Sequence, residues 1–320
     1  MTPQTLTLLG LGQLGLPVAA AMAAAGHRVQ GVDTQEARRA GGVHHGLAAV
    51  ASAAHLLPST RWLITVLPDD ATLAAALADD AGTPGARAHL APDGVHLCIG
   101  TLGVAQARAI AAAHSALGQH FIAAPVFGRP DEAWASDLTV VFGASAGLPN
   151  ADRATAQALL ACVAQRLHVV ESPVAACAVK LAGNLMIASA IATMTEAFGL
   201  AQRHGAPAAL VHQVITGKLF KGPVYEGVGR RVGLACSSAE ACASPPGFTV
   251  RLGLKDLALV QDAAQAVQFD IPVGNVVQQR MQCAADRGHA GRDWAELPAC
   301  LASSQATNQH HHLAPGAPST

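Results

Sequence analysis

The sequence predicts an α/β chain in which a doubly wound, mainly parallel sheet is followed by an all-helical half, with one long helix joining them. Three observations carry this. Short β-rich runs alternate with alanine-rich helical stretches up to residue 171, the order that builds a parallel sheet covered by helices on both faces. The alternation then stops, and 173–204 reads as one long helical pattern ended by HGAP at 204–207. From there to about residue 302 only helical periodicity remains.

The strand candidates, in order, are 5–10, 27–33, 61–68, 95–100, 120–128, 138–144 and 166–171. Most are rich in β-branched and other apolar residues and end near turn formers. Helical stretches at 14–25, 70–79, 104–117 and 151–165 fall between most of them. In the second half, loops are expected at 217–224 and 235–248. The expected division is a sheet domain over 1–171, a helical domain over 172–305 and a disordered tail over 306–320. That tail is rich in Ala, Pro, Ser and Thr and includes His310 to His312, a composition with little to bury.

A chain of 320 residues suits two domains, and with 51% apolar against 13% charged residues it can bury a large core. A net charge of −1 without any Lys/Arg cluster gives no footprint for nucleic acid. No apolar run of the length of a membrane span is free of Gly, Pro or polar interruptions. The opening MTPQTLTLLG lacks the basic start and cleavable apolar stretch of a signal peptide. Seven cysteines, at 98, 162, 177, 236, 242, 283 and 300, form no CxxC. They fit reduced thiols and a cytoplasmic location. Fifteen dispersed histidines give no metal-ligand spacing, so no metal is expected.

Chemistry enters with GLGQLG, residues 10–15, which sets Gly10, Gly12 and Gly15 as GxGxxG between a strand and a helix. The first glycine permits the tight turn, and the second lets a pyrophosphate approach the backbone. The third allows helix and strand to pack closely, with the helix N-terminus offering N–H donors through Leu11, Gln13 and Leu14 and their neighbours. Asp33 ends the second strand eighteen residues after Gly15, where a carboxylate accepts hydrogen bonds from ribose hydroxyls. A structural turn beside an unrelated surface Asp is the plainer alternative. The first domain is therefore expected to be a Rossmann-type dinucleotide-binding domain. A carboxylate at 33 repels a 2′-phosphate, and Thr34 stands where an arginine would clamp one, so NAD is favoured over NADP. Arg38 and Arg39, a turn further on, soften that preference.

VKLAGNLMIA, 179–188, puts Lys180 and Asn184 four residues apart on an otherwise apolar helix, so both lie on one face. A lysine there either snorkels to water while Asn184 bonds a neighbouring helix, or serves as an acid/base with a pKa lowered by burial. The residues alone leave both readings open. Glu196, with Phe198 nearby, reads as structural, and nothing separates His204 or Tyr225 from ordinary surface residues.

With GLGQLG, APVFGRP (124–130), VKLAGNLMIA and GLKDLALV (253–260) in this order, the chain resembles the β-hydroxyacid dehydrogenase family. That family includes 3-hydroxyisobutyrate and tartronate-semialdehyde reductases and is related to 6-phosphogluconate dehydrogenase. The likeness runs from about residue 5 to 302, with smaller matches at PVYEGVGR (223–230), PGF (246–248) and RDWAEL (292–297). It implies that Lys180 is the catalytic lysine on the interdomain helix and Asn184 its substrate-orienting neighbour. Lys255 looks like the lysine that reaches the cofactor side of the cleft, and Asp256 like an acid supporting helix packing. Leu67 and Pro68 match a strand end lining the cofactor, and Thr101 the threonine of STxxP near the nicotinamide. The substrate loop would be Val126, Phe127, Gly128 and Arg129.

Two departures stand out. GTLGV (100–104) replaces STxxP, keeping the threonine alone of its serine, threonine and proline. The substrate loop, usually APVSGG, reads APVFGR, so Phe127 replaces a serine hydroxyl that would bond substrate. A phenyl ring there implies a bulkier or less polar substrate, with Arg129 either a carboxylate anchor or a surface residue. The expectation is an NAD(P)-dependent oxidoreductase acting on a small carbonyl or alcohol, with Lys180 as general acid/base. Imine reduction on the same scaffold is the alternative, and a cofactor-binding module without catalysis a further one. The helical domain of this family packs on a second copy, so a homodimer or larger assembly is expected.

Overall fold

The computed structural model describes residues 2–52, 60–79, 84–237 and 245–302. The tail expected over 306–320 and Cys242 lie outside the described residues. The chain separates into two compact units, one comprising residues to Gly183 with Asp262–Gln268, the other Asn184–Gln261 with the chain from Phe269 on.

The first unit carries nine strands in one sheet: β1 (Thr5–Leu9), β2 (Arg28–Val32), β3 (Ala48–Val50), β4 (Thr60–Thr65), β5 (Leu90–Cys98), β6 (His120–Ala123), β7 (Val126–Phe127), β8 (Leu138–Ala144) and β9 (Ala164–Val170). Their order is β3-β2-β1-β4-β5-β6-β8-β7, with β9 on the other edge of β8. From β3 to β6 every pairing is parallel, as expected from the strand–helix alternation. β8 runs antiparallel to β6 and β7 and parallel to β9.

Alternation along each strand sorts side chains between two buried layers. Leu6, Leu8, Trp62, Ile64, Ile122, Val140 and Phe142 pack on one face with α1 (Gly15–Ala24) and α6 (Asn150–Ala161). Leu63, Phe121, Ala123 and Val141 pack on the other with α3 (Asp70–Leu77), α4 (Val104–Ser115) and the start of α7 (Pro173–Arg203). Each fully buried Leu, Ile or Phe in these layers stabilises the fold by about 1.5–3 kcal/mol relative to exposure.

Three local differences from the sequence reading have physical causes. The run 120–128 is two strands, because Ala124-Pro125 interrupts it and Pro125 has no N–H for a ladder. A helix, α2 (Glu36–His44), and the short β3 fill 36–50; this polar, Gly-rich stretch carries no clear period. The helix expected over 151–165 stops at Ala161, and β9 begins at Ala164.

The second unit is helical. Beyond α5 (Pro130–Trp134) and α6 of the first unit, the chain continues through α7 into α8 (Ala208–Lys218), α9 (Gly229–Ser237), α10 (Val250–Ala266), α11 (Pro272–Ala284) and α12 (Leu297–Ala302). Ala188, Ile191, Met194 and Phe198 of α7 form its core with Val232, Leu257, Met281 and Trp294. By length and composition α7 could cross a bilayer, with a mean hydropathy of 1.8 over its most apolar stretch. A third of that stretch is buried, and Ala188, Ile191, Met194 and Phe198 pack in the core of the second unit.

Candidate active site

The glycine loop joins β1 to α1, and its three glycines do three different things. Gly10 has φ 96°, and a Cβ there would lie 2.3 Å from the Val66 carbonyl oxygen. A Cβ at Gly15 would lie 1.8 Å from the carbonyl oxygen of Gly10, so only glycine lets α1 start this close to β1. At Gly12 the nearest atom to such a Cβ is Arg38 Nη1 at 3.9 Å. That is an open cradle over backbone, which suits a pyrophosphate at a helix start.

Asp33, at the end of β2, is buried, and its carboxylate ties the loop together. Oδ2 accepts from the Leu11 N–H at 2.9 Å and Oδ1 from the Gln35 N–H at 2.9 Å. Arg38 Nη1 approaches Oδ2 at 3.5 Å, while Arg39 donates to the carbonyls of Asp33 and Thr34. Both arginines noted in the sequence are thus engaged at the acid.

A second loop lies beside the first. Leu67 follows β4, with its Cδ2 3.0 Å from where a Gly10 Cβ would sit. Pro68 is exposed and Thr101 half-buried. Asp69 caps α3 by accepting from Thr72 N–H at 2.7 Å. Asp70 accepts from the Gly103 N–H at 3.1 Å and so pins the loop carrying Thr101. The sequence reading missed Asp70; the LPDD turn with two acids at a helix start was its signal.

Lys180 and Phe127 meet within the first unit. Phe127 sits in β7, paired with Thr139 of β8, and its ring packs towards α7. The Lys180 ammonium lies over that ring, 4.3 Å from its centroid, a cation–π geometry. A Cβ on Gly183 would be 2.4 Å from Phe127 Cε1 and 2.5 Å from Cζ, so the ring fills the gap this glycine leaves. Lys180 is half-buried rather than deeply buried. Val126 is buried, and Gly128 has φ 143°, where a side chain would strike Leu138. Arg129 is half-exposed and lies 3.6 Å from Asp131.

Asn184, one turn along α7 from Lys180, is buried, at 4% exposure. Its Nδ2 donates to Asp256 Oδ2 at 2.5 Å. Asp256 is 2% exposed; its Oδ1 lies 2.9 Å from Lys255 Nζ, an ion pair without a hydrogen bond. The carboxylate therefore fixes which end of the carboxamide faces it. The PGF and RDWAEL segments hold one another: Asp293 accepts from the Gly247 N–H, and the Trp294 and Phe248 rings meet at a tilt, while Arg231 of α9 donates to the buried Glu296.

These features define a class, the pyridine-nucleotide-binding oxidoreductases. The model of the NAD binding domain of 6-phosphogluconate dehydrogenase matches residues 5–181. The model described as NAD-binding of NADP-dependent 3-hydroxyisobutyrate dehydrogenase matches residues 175–301. The chain belongs to the β-hydroxyacid dehydrogenase family and is an NAD(P)-dependent dehydrogenase. An uncharacterized oxidoreductase of Bacillus subtilis is 29% identical, over 92% of this chain and 99% of its own. The structure of a Mycobacterium tuberculosis 3-hydroxyisobutyrate dehydrogenase with L-serine is 27% identical, with a TM-score of 0.79 over 94% of this chain and 100% of its own. A Streptomyces aurantiacus imine reductase, 20% identical with a TM-score of 0.58 over 92% and 98%, shares the fold alone.

Proposed function

We propose that the protein interconverts a small 3-hydroxy acid and its aldehyde, with Lys180 as general acid/base and NAD as the preferred cofactor. The observation that carries the reading is Lys180 itself, a half-buried amine on α7 in the same unit as the glycine loop. The dinucleotide would be held by Gly10, Gly12, Gly15 and Asp33, with Leu67, Pro68 and Thr101 beside it. The hydride is the nicotinamide's to give or take. In reduction the Lys180 ammonium donates a proton to the carbonyl oxygen; in oxidation the neutral amine takes the hydroxyl proton. Asn184, oriented by Asp256, offers its remaining amide groups to the substrate oxygen. The loop Val126–Arg129 contributes backbone donors and an aromatic wall in place of a hydroxyl.

Asp33 supports the NAD preference, since a 2′-phosphate brought beside its carboxylate meets like charge. Arg38, already engaged there, limits the discrimination. Exposed Met186, Phe220, Phe269 and Val273 line an apolar cavity of about 680 Å³ in the second unit. Such a patch supports a homodimer through this unit, and the reading is of a cytoplasmic enzyme.

The test is a panel of 3-hydroxyisobutyrate, L-serine, short aldehydes and a cyclic imine, assayed with both cofactors in wild type and Lys180→Ala. Hydroxy-acid or aldehyde turnover, at least about tenfold better with the NAD pair, is expected to vanish in the variant while NADH still binds. Wild-type rates in Lys180→Ala would refute the acid/base role. Turnover of the imine alone would favour the reading that the missing serine at 127 suggests.

A further inference from the structure

Phe127 is more than a lost serine, because three facts fix where its ring lies. Pairing of Phe127 with Thr139 in the β7–β8 ladder sets the backbone. Gly183, inside a 31-residue helix, leaves a gap that the ring edge occupies, so closely that a Cβ would overlap Cε1 and Cζ. The ring face then carries the Lys180 ammonium at 4.3 Å. A lysine has four rotatable side-chain bonds and wanders unless something holds it. Here the ring packed on Gly183, one turn along the helix, is one surface the amine rests on.

We propose that Phe127 is the positioning residue for Lys180: its ring, seated on the Gly183 gap, restrains the amine and so sets where the proton is offered. This rests on the acid/base reading of Lys180. It gives Phe127 a role through the lysine, separate from any contact it makes with substrate, and makes Gly183 its partner. A misplaced amine is costly, because a shift of an ångström at a reacting group lowers turnover by one to two orders of magnitude.

The sequence has four lysines, Lys180, Lys218, Lys221 and Lys255, so ¹³C-methylation of their amines gives a spectrum simple enough to test the contact directly. In the whole protein one methyl signal is expected upfield of the others, displaced by the ring current and assigned by its loss in Lys180→Arg. The displacement should disappear in Phe127→Leu, which removes the π face, and in Gly183→Ala, which pushes the ring away while substituting neither Phe127 nor Lys180. It should persist in Phe127→Tyr. On the fastest substrate of the panel, kcat should fall on the order of tenfold in Phe127→Leu and Gly183→Ala with a smaller change in KM. Phe127→Tyr should lose less than Phe127→Leu. Absence of a displaced signal in wild type overturns the proposal, as does its loss without any fall in kcat. If Lys180→Ala is inactive while Phe127→Leu is fully active, only the role of Phe127 fails. If Lys180→Ala is active, the acid/base reading fails with it.

Discussion

The pairing of Asn184 with Asp256 makes the sharpest energetic prediction. Both side chains are nearly inaccessible, at 4% and 2% exposure, and the Nδ2–Oδ2 distance is 2.5 Å. Asn184→Ala takes the hydrogen-bond donor from a buried carboxylate whose other oxygen faces the Lys255 ammonium. Losing this hydrogen bond costs about 2 kcal/mol, since the Lys255 ammonium at 2.9 Å still faces the charge. Asp256→Ala instead strands a neutral amide donor, for about 2 kcal/mol. The double variant strands neither partner, so its cost should fall well below the roughly 4 kcal/mol that addition gives. Urea unfolding of the four proteins, followed by tryptophan fluorescence, measures the difference. If the single costs add to within about half a kcal/mol, the hydrogen bond does not hold Asn184, and its proposed orientation towards substrate fails with it.

Gly15→Ala should leave the sheet folded but weaken NADH binding by at least about tenfold, because its Cβ meets the fixed Gly10 carbonyl and must push α1 off the loop; calorimetric titration with unchanged affinity would refute this. Acid should destabilise the protein through His96 and His114, two inaccessible rings bonded to each other at 2.9 Å within a chain from Thr65 to Gln119. Burial, then the neighbouring His114, holds His96 well below the usual histidine range. Burial also lowers His114, against the raising effect of its Gln119 hydrogen bond and with a smaller lowering from Arg87. Unfolded imidazoles take protons below about pH 6.5 and the folded rings resist, so stability is full above that pH. Below it, stability falls by up to about 1.4 kcal/mol per pH unit for each ring until the folded rings protonate; a flat Tm between pH 7.5 and 5.5 contradicts this. Burial likewise raises the Cys98 thiol to about 11 and that of Cys177 to about 12. Both should therefore resist alkylation at pH 8 until the protein unfolds, which mass spectrometry reads directly.

Local signals in the sequence were legible where physics is local. GLGQLG sits between a strand and a helix because backbone geometry demands glycine there, and Asp33 falls at the end of β2 as the spacing implied. The long helix from 173 was visible in its alanine-rich pattern, and it ends at Arg203 just before HGAP. What escaped depended on partners distant in sequence. VKLAGNLMIA leaves open that Asn184 bonds a neighbouring helix, as it does with Asp256 of α10, but does not show that the partner is a carboxylate 72 residues away, nor does APVFGR reveal that its ring reaches α7. The sequence did carry one unused hint, since glycine inside a helix is unfavourable and invites a packing explanation. Gly183 has one. Asp70 was overlooked for a similar reason: its neighbour Asp69 explains the helix start, and the tie to Gly103 appears only when the two loops lie side by side.

The fit of Phe127 into the gap at Gly183 also couples the two positions energetically. With any larger residue at 183, the ring of Phe127 as it stands would collide with the helix. Glycine in a helix interior costs about 1 kcal/mol relative to alanine. Packing the ring into the gap offsets that cost, so a change at 183 is felt at 127, and a smaller residue at 127 leaves the gap empty. The two positions therefore respond to substitution as a pair.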